Sequence, residues 1–517
     1  MKASMARLSL FLLGLVLPSS LFAAQVTESA PSSIPDFDDM EYGELIREFQ
    51  KERGRWARES CEFGVPILTA MSRKNPDNDP VENLRLLAQV LCANERNDYA
   101  EAAQVLKTLE TNFPDQHYND LGFLLAVRTE SAEDALARLR SLDFDQAKDL
   151  SEDTLWSVSR MLTRAGRNTE LNDVALDWSQ NGIFGALSRD QQSGMAFRAL
   201  DAAVRQERIE AVDGLLTYVT NPQSYVTLLT DRKYETIWPK IEARAGPNMS
   251  LVGQEDVMLK LARLENNELD RDRFSAAARA LHFNGQFEDA IELADQWRSR
   301  EEGGSAIEEG DAWALNIQAY AYDSLGQTEK ADAIFDRLAE VDASKHSWAV
   351  NFVINRAARL VGQGRWTEGL EAAELARSVP GSTYAELIVA RDFTCALKKL
   401  GRIEESEKEL PFLRENAEDG LAMSVQGLMC HDLNSEAAQI LSDALANPIT
   451  RDRAIAAFEV DELDLFYTQS ILPDARDLLA DFPDLAQQLA TYVRPMPEEY
   501  VPTASLKRVT LDLPSWE

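Results

Sequence analysis

The sequence predicts an all-α protein built from stacked helical hairpins. A similar stretch recurs around Gly285, Gly326 and Gly364, and in each copy the glycine separates two segments whose apolar residues have helical spacing. The chain has 517 residues, too many for one ordinary globular core, whereas a repeat array grows by adding units. Hydrophobic residues make up 45% of the chain, which is ample for a folded protein.

The clearest copies lie between 273 and 380. In the first, Phe274 and Ala278 precede the turn at Gly285, and Ala290 follows it. Small side chains such as Ala278 allow close approach of two helices, and large ones such as Phe274 fill the gaps beside them. One hairpin cannot bury its apolar face alone, so the repetition itself predicts stacking.

Helical spacing begins at Met40 and defines two predicted arrays. An opening helical pair covers 40–73, and further hairpins follow from Val81. Pro239 is expected to kink or end a helix between 225 and 245, where the repeat spacing is least clear. We therefore predict an N-terminal array over 40–245 and a C-terminal array over 246–448.

Two further segments complete the predicted organisation. Residues 449–492 read as capping helices, interrupted by Pro473 and Pro483. Residues 493–517 form a Pro-rich tail, which either folds back along the last helix as a cover or stays mobile.

Residues 1–24 have the composition of a secretory signal peptide. Lys2 and Arg7 precede an apolar run over 8–17, and small residues up to Ala24 provide a cleavage site. The run is about half of what a spanning helix needs, which favours a cleaved signal over an anchor. Residues 25–39 lack apolar periodicity and are expected to form a flexible leader. We expect an exported periplasmic protein without a stable membrane anchor after cleavage.

The charge balance excludes several classes of partner. The chain has 87 acidic and 53 basic residues, a formal net charge of −34. Loss of Lys2 and Arg7 with the signal leaves 53 − 2 = 51 basic residues and a balance of −36. Such a charge repels phosphate backbones and anionic head groups, so nucleic acid is not expected as a partner. Spread over solvated helix faces, the same charge serves solubility.

Four cysteines are spaced at about one repeat. Cys61 and Cys92 are 31 residues apart, and Cys395 and Cys430 are 35 apart. Equivalent residues of stacked hairpins lie on neighbouring helices, close to the separation that a disulfide requires. An exported protein meets an oxidising compartment, so we predict two disulfides. Four buried thiols are the alternative.

Over 273–380 the repeated pattern resembles the tetratricopeptide repeat family, and over 81–114 the resemblance is weaker. It rests on the packing alanines before each turn glycine, while Thr394 and Gly369 depart from the family pattern. The resemblance implies a right-handed α-solenoid whose inner groove, lined by the first helix of each hairpin, binds peptides or proteins. It does not identify the ligand, because many unrelated functions use this architecture.

Residues one turn away from the packing positions are expected to line that groove. They combine amide, aromatic and charged groups suited to holding an extended peptide. The alternative is a solvated groove without a ligand. The expected groove residues are Ser275, Arg279, His282, Asn316, Tyr320, Asp323, Asn351, Arg391 and Lys398.

Motifs that carry catalysis are missing from the sequence. The four histidines stand alone, and neither His-Glu-x-x-His nor Cys-x-x-Cys occurs, so no metal and no cofactor are expected. Gly427-Leu-Met429 looks similar to a short motif of lytic transglycosylases, but Cys430-His431 departs from it and no Glu-Ser precedes it. We therefore do not expect an enzyme. The predicted function is an exported scaffold or adaptor for a peptide or protein partner; the alternative is a wall-acting hydrolase or its helical accessory.

Overall fold

The computed structural model describes residues 36–51, 54–266, 271–300, 307–379, 381–459 and 470–502. Within these ranges the chain is helical and forms no β-strand, so the predicted all-α class is confirmed. None of the described helices is long and apolar enough to cross a membrane. The expected signal peptide, residues 25–35 of the leader and residues 503–517 of the tail lie outside the described ranges.

The chain divides into two compact units, one up to Ala202 and one from Ala203. The separation into arrays at 245/246 stays a prediction. A π-type turn over Ser60–Gly64 joins the second and third helices of the first unit. The helices that begin in the first unit are α1 (Tyr42–Lys51), α2 (Arg55–Arg58), α3 (Val65–Lys74), α4 (Asp79–Glu95), α5 (Tyr99–Asn112), α6 (Asn119–Arg128), α7 (Ala132–Ser141), α8 (Phe144–Lys148), α9 (Glu152–Arg164), α10 (Asn168–Gln180) and α11 (Arg189–Arg205).

The second unit continues the helical pattern. Its described helices are α12 (Val212–Leu216), α13 (Pro222–Thr230), α14 (Trp238–Ala245), α15 (Ser250–Asn266), α16 (Arg271–Phe283), α17 (Phe287–Arg300), α18 (Glu309–Ser324), α19 (Thr328–Ala339), α20 (Val350–Gly362), α21 (Trp366–Arg377), α22 (Thr383–Lys399), α23 (Ile403–Ser406), α24 (Leu410–Glu415), α25 (Leu421–Cys430), α26 (Asn434–Ala446), α27 (Arg451–Ala456), α28 (Leu478–Asp481) and α29 (Pro483–Ala490). Short 3-10 segments cover Phe37–Asp39, Ile183–Ala186, Ile209–Ala211, Arg232–Ile237, Pro247–Met249, Ser347–Ala349, Ala475–Asp477 and Glu498–Tyr500.

The turns of the hairpins share one backbone conformation. After α16, Gly285 has φ 74°, and the next residue, Gln286, donates its N–H to the carbonyl of Leu281 over 2.9 Å. This bond spans five residues and closes a Schellman cap, which satisfies a carbonyl left free at the helix end. The same left-handed residue followed by the same bond occurs at Asn97, Glu130, Gly166, Glu207, Gly285, Gly326, Gly364, Gly401 and Asp432.

In several of these turns the left-handed residue is not glycine. Glu130 has φ 52° and Glu207 has φ 57°, in the region that favours glycine. A search for glycines alone therefore misses them. Between Glu207 and Gly285 the described residues contain α12–α16 but no further turn of this kind, so the hairpin repeat is interrupted there.

The small residues of the repeated pattern are buried, as the pattern predicts. Ala278, Ala319 and Ala357 are buried, and so are Phe274 and Phe335 beside them. Removing one such phenyl side chain from water contributes roughly 1.5–3 kcal/mol.

Pro239 begins a helix, where we expected it to kink or end one. It lies in the first turn of α14, directly after the 3-10 segment Arg232–Ile237. A first-turn residue has no helical acceptor for its N–H, so proline costs nothing there and its fixed φ suits the helix.

The beginning of the tail joins the end of the second unit to its start. Val493 forms an antiparallel bridge with Asp231. The guanidinium of Arg494 donates to a carboxylate oxygen of Glu242 over 2.8 Å and stacks 3.6 Å from the ring centroid of Trp238. Residues adjacent to α29 thus contact α13 and α14, which lie more than two hundred positions earlier in the sequence.

Candidate peptide-binding surface

The predicted groove residues lie on α16, α18, α20 and α22. Five of them are buried, so they offer no surface to a peptide in this conformation, and we correct their placement in an open groove. α18 shows the reason, since it is buried on all its faces by neighbouring helices. The fractional exposures are 0% for His282, 2% for Tyr320, 4% for Asn316, 5% for Asp323 and 7% for Arg391.

The buried polar side chains of α18 hold neighbouring helices together. Asn316 accepts a hydrogen bond from the amide of Asn355 on α20 over 3.2 Å. The ring of Tyr320 packs against Phe335 on α19, with 5.5 Å between the centroids. The Tyr320–Phe335 contact joins the two helices of one hairpin, and the Asn316–Asn355 hydrogen bond joins that hairpin to the next. Both residues of α18 therefore contribute to packing.

An ion-pair network extends from α18 into the next hairpin. Asp323 binds Arg359 on α20, and Arg359 also donates to Asp332 over 2.6 Å. Arg365 donates to both carboxylate oxygens of Asp332, over 2.7 and 2.9 Å. Although burial raises the pKa of Asp332, the hydrogen bonds from the two guanidiniums lower it below its usual value. The four side chains pair with one another.

The other four predicted residues keep some exposure. Arg279 is exposed, and Ser275, Asn351 and Lys398 are half-buried. The ammonium of Lys398 lies 3.1 Å from a carboxylate oxygen of Asp432. These four are the part of the predicted set that a partner can reach.

Arg391 forms a buried pair with its own neighbour in the sequence. Its Nε and Nη2 donate to Oδ1 of Asp392 over 2.9 and 2.6 Å, and its Nη1 donates to Gln426 on α25 over 2.9 Å. Burial raises the pKa of Asp392 to about 6, although the charge of Arg391 acts in the opposite direction. Oδ2 of Asp392 has no hydrogen-bond partner among the described residues.

A short segment from later in the chain is bound at the ends of these helices. Ile471 donates its backbone N–H to the carbonyl of Gly362 over 2.8 Å, and the amide of Gln426 donates to the carbonyl of Pro473 over 2.8 Å. Between them, Leu472 is 9% exposed and packs into the apolar core formed with α20 and α22. We name Ser470–Pro473 the bound segment. It has no helical structure.

Two glycines make room for the bound segment. A Cβ at Gly362 would stand 3.3 Å from Oγ of Ser470, and one at Gly364 would stand 2.7 Å from Cδ1 of Ile471. Gly364 also has φ 75°, so a side chain there would be strained in any case. The turn between α20 and α21 is therefore shaped for both the cap and the bound segment.

Two disulfides connect neighbouring helices, and they are the pairs that the repeat spacing predicts. Cys61 is bonded to Cys92, with 4.6 Å between their Cα atoms, and Cys395 to Cys430, with 5.0 Å. The second bond joins α22 to α25 in the same apolar core that buries Leu472. It therefore holds together the helices that carry the bound segment.

A cavity of about 400 Å³ lies near the other end of α22. We name it the α21–α22 cavity, because it opens between the C-terminal end of α21 and the first two turns of α22. Its lining includes Ile354, Ala376, Val389 and Phe412, with charged groups at the rim. This size and mixture are typical of ligand pockets.

Sequence reasoning missed both of these features. Gln426 and Leu472 carry no motif, and Leu472 lies 46 residues after Gln426 in a stretch read only as a capping helix. One signal was available. Gly362 stands inside the last turn of a helix, where glycine is unfavourable, and that position indicated close approach of another part of the chain.

The described residues hold no group of three or more His, Cys, Asp or Glu side chains placed to bind a metal ion. Comparison with the models of known protein families, with curated proteins and with solved structures finds no match for this chain.

Proposed function

We propose that this chain is an exported scaffold or adaptor that binds a peptide or protein partner on its second unit. One observation supports this above all: the second unit holds the bound segment through the carbonyl of Gly362, the amide of Gln426 and a buried site for Leu472. Backbone hydrogen bonds combined with a side-chain anchor are a general mode of peptide recognition. The same helices are thus equipped to hold a segment of another protein.

The proposed architecture is a right-handed solenoid of tetratricopeptide-like hairpins. The recurring Schellman turns and the buried packing residues Ala278, Ala319 and Ala357 support it. So does the contact of successive first helices, α16 with α18, α20 with α22 and α22 with α25. Such an array presents a long surface, and binding along it needs no catalytic group.

The proposed compartment is the oxidising periplasm. Both disulfides support export, because cytosolic reductants keep most thiols reduced. The signal-like composition of residues 1–24 agrees with this location. The mature chain would act without a stable membrane anchor.

Affinity capture tests the proposed function. The mature chain is immobilised, incubated with envelope extract, and the captured proteins are identified by mass spectrometry. The double variant Ser275→Ala with Asn351→Ala should capture the main partner at least fivefold less, with unchanged helicity. Gln296→Ala with Gln439→Ala is the matched control, since both residues are polar, exposed and lie outside the first helices. Equal capture by both double variants would count against these first helices as the binding surface.

A second assay separates the adaptor from the alternative of a wall-acting hydrolase. Purified mature chain is incubated with peptidoglycan, and the soluble products are analysed by chromatography. An adaptor releases no fragments. Release of muropeptides that depends on time and protein concentration would replace the adaptor proposal with an enzyme.

A further inference from the structure

The α21–α22 cavity is built for an apolar group. Ile354 from α20, Ala376 from α21 and Val389 from α22 form its inner wall, and Phe412 of α24 adds a half-buried ring. A volume of about 400 Å³ corresponds to roughly a dozen water molecules at about 30 Å³ each. The cavity therefore accommodates more than one apolar side chain.

The rim of the cavity carries a net negative charge. Arg377 donates to Glu409 over 2.7 Å and lies 3.6 Å from the ring centroid of Phe393, so this guanidinium is already held by two partners. Glu386 also lines the cavity, is exposed, and forms no ion pair with any described residue. One carboxylate at the rim is thus left without a counter-charge.

The net charge of the chain also favours a cation at this place. The helix ends give no preference, because the C-terminal end of α21 and the N-terminal end of α22 both lie at the cavity and their partial charges are opposite. The whole chain is acidic, with a formal net charge of −34, so basic partners are attracted and acidic ones repelled over longer distances. An apolar interior with an acidic rim selects a ligand that is apolar and basic at once.

We infer that the α21–α22 cavity binds a partner segment in which a lysine or arginine stands between two apolar residues. The apolar side chains occupy the space between Ile354, Val389 and Phe412, and the basic group binds the carboxylate of Glu386. This inference rests on the proposed function, because it names the chemistry of the partner that the scaffold holds.

Methyl NMR of the isotope-labelled mature chain tests the inference with two defined probes. Acetyl-Leu-Lys-Leu-amide should shift the methyl resonances of Ile354, Ala385 and Val389, and acetyl-Leu-Glu-Leu-amide should bind at least fivefold more weakly. The exposed variant Glu386→Lys should reverse this preference. Glu371→Lys is the matched control, because it places the same charge on α21 away from the cavity.

Each outcome decides the inference. Reversal with Glu386→Lys and an unchanged preference with Glu371→Lys support it. Shifts confined to methyls elsewhere, equal binding of both probes, or the same effect from both variants overturn it. The proposed function fails separately, when envelope extract yields no captured partner, so a negative result in one experiment does not decide the other.

Discussion

Arg359 and Asp323 form a two-point ion pair inside the second unit. Nε and Nη2 of Arg359 donate to Oδ2 and Oδ1 of Asp323 over 2.5 and 2.7 Å, and the two side chains are 1% and 2% exposed. The pair joins the first helices of two successive hairpins, α18 and α20. Its geometry satisfies both carboxylate oxygens, which compensates for their removal from water.

Replacing only one partner should be strongly destabilising. Arg359→Met leaves the carboxylate of Asp323 buried without its main counter-charge, which costs about 3–5 kcal/mol. Arg359→Met combined with Asp323→Leu should recover most of that loss, because an apolar pair can fill the same space. The denaturant midpoint of the second unit, with hydrogen exchange of α18 and α20, measures both.

An exposed pair provides the control. Arg402 and Glu405 have side chains that are 44% and 48% exposed, and Arg402→Met should leave the midpoint unchanged. Equal effects of Arg359→Met and Arg402→Met would show that the buried pair does not hold the hairpins together.

Asp392 should make the stability of the second unit depend on pH. Burial raises its folded-state pKa to about 6 from an ordinary 3.8, against the opposing charge of Arg391. Stability from such a group is fully present below the unfolded-state pKa and is lost as the pH rises through the folded-state pKa. Relative to Asp392→Asn, the free energy of unfolding of the wild type should fall by roughly 3 kcal/mol between pH 3.8 and about pH 6. A pKa difference of about two units corresponds to a free-energy change of that size.

Chemical unfolding at a series of pH values measures this difference. Asp419→Asn is the matched control, because Asp419 is exposed. It should follow the wild-type profile. A constant difference between wild type and Asp392→Asn from pH 4 to 7 would contradict the assignment.

The disulfide between α22 and α25 should stabilise the second unit alone. Cys395 and Cys430 are 35 residues apart, and closing a loop of that length contributes about 3–4 kcal/mol in the chain-entropy account. Cys395→Ala with Cys430→Ala should lower the unfolding midpoint of this unit, whereas Cys61→Ala with Cys92→Ala should act on the first unit.

Mass spectrometry checks the pairing before stability is measured. Alkylation of the denatured, unreduced chain should add no label, and alkylation after reduction should add four. Four labels without reduction would contradict both disulfides.

The bound segment should depend on Leu472 and much less on Ile471. Leu472 is 9% exposed and Ile471 is 52% exposed, so the adjacent residues form a matched pair. Leu472→Ala removes a buried anchor, which costs about 2–5 kcal/mol where a core leucine is truncated, and should speed hydrogen exchange across 470–480. Ile471→Ala should leave that exchange slow.

The amide donor of Gln426 provides an independent readout. Gln426→Glu keeps an oxygen that can accept from Arg391 but removes the amide donor to the carbonyl of Pro473, so it should speed exchange in the same peptide without changing α16–α18. Unchanged exchange in both Leu472→Ala and Gln426→Glu would show that other contacts hold the segment.

Much of the local structure follows from residue patterns. The helical spacing places Phe274, Ala278 and Ala290 in the core, and Gly285 marks its turn correctly, because side-chain periodicity and left-handed glycines are local properties. The cysteine spacing of one repeat matches the bonded pairs for a related reason, since stacking brings equivalent positions together.

The residue pattern did not predict correctly which side chains line an open groove. Periodicity distinguishes a packed helix face from an open one only when neighbouring helices cover a single side. Neighbouring helices cover α18 on all sides. Asn316 and Asp323 are therefore buried, although their sequence positions suggested exposure. Glu130 and Glu207 adopt left-handed turns because the surrounding hairpin imposes them against the preference of the residue.

The sequence by itself therefore determined the helical class and the turns marked by glycine, since these depend on contacts between residues close along the chain. Only the tertiary structure decided which polar groups are buried, where Ser470–Pro473 is bound and how Arg494 reaches Glu242. Those contacts join residues that lie tens to hundreds of positions apart, and no local period records them.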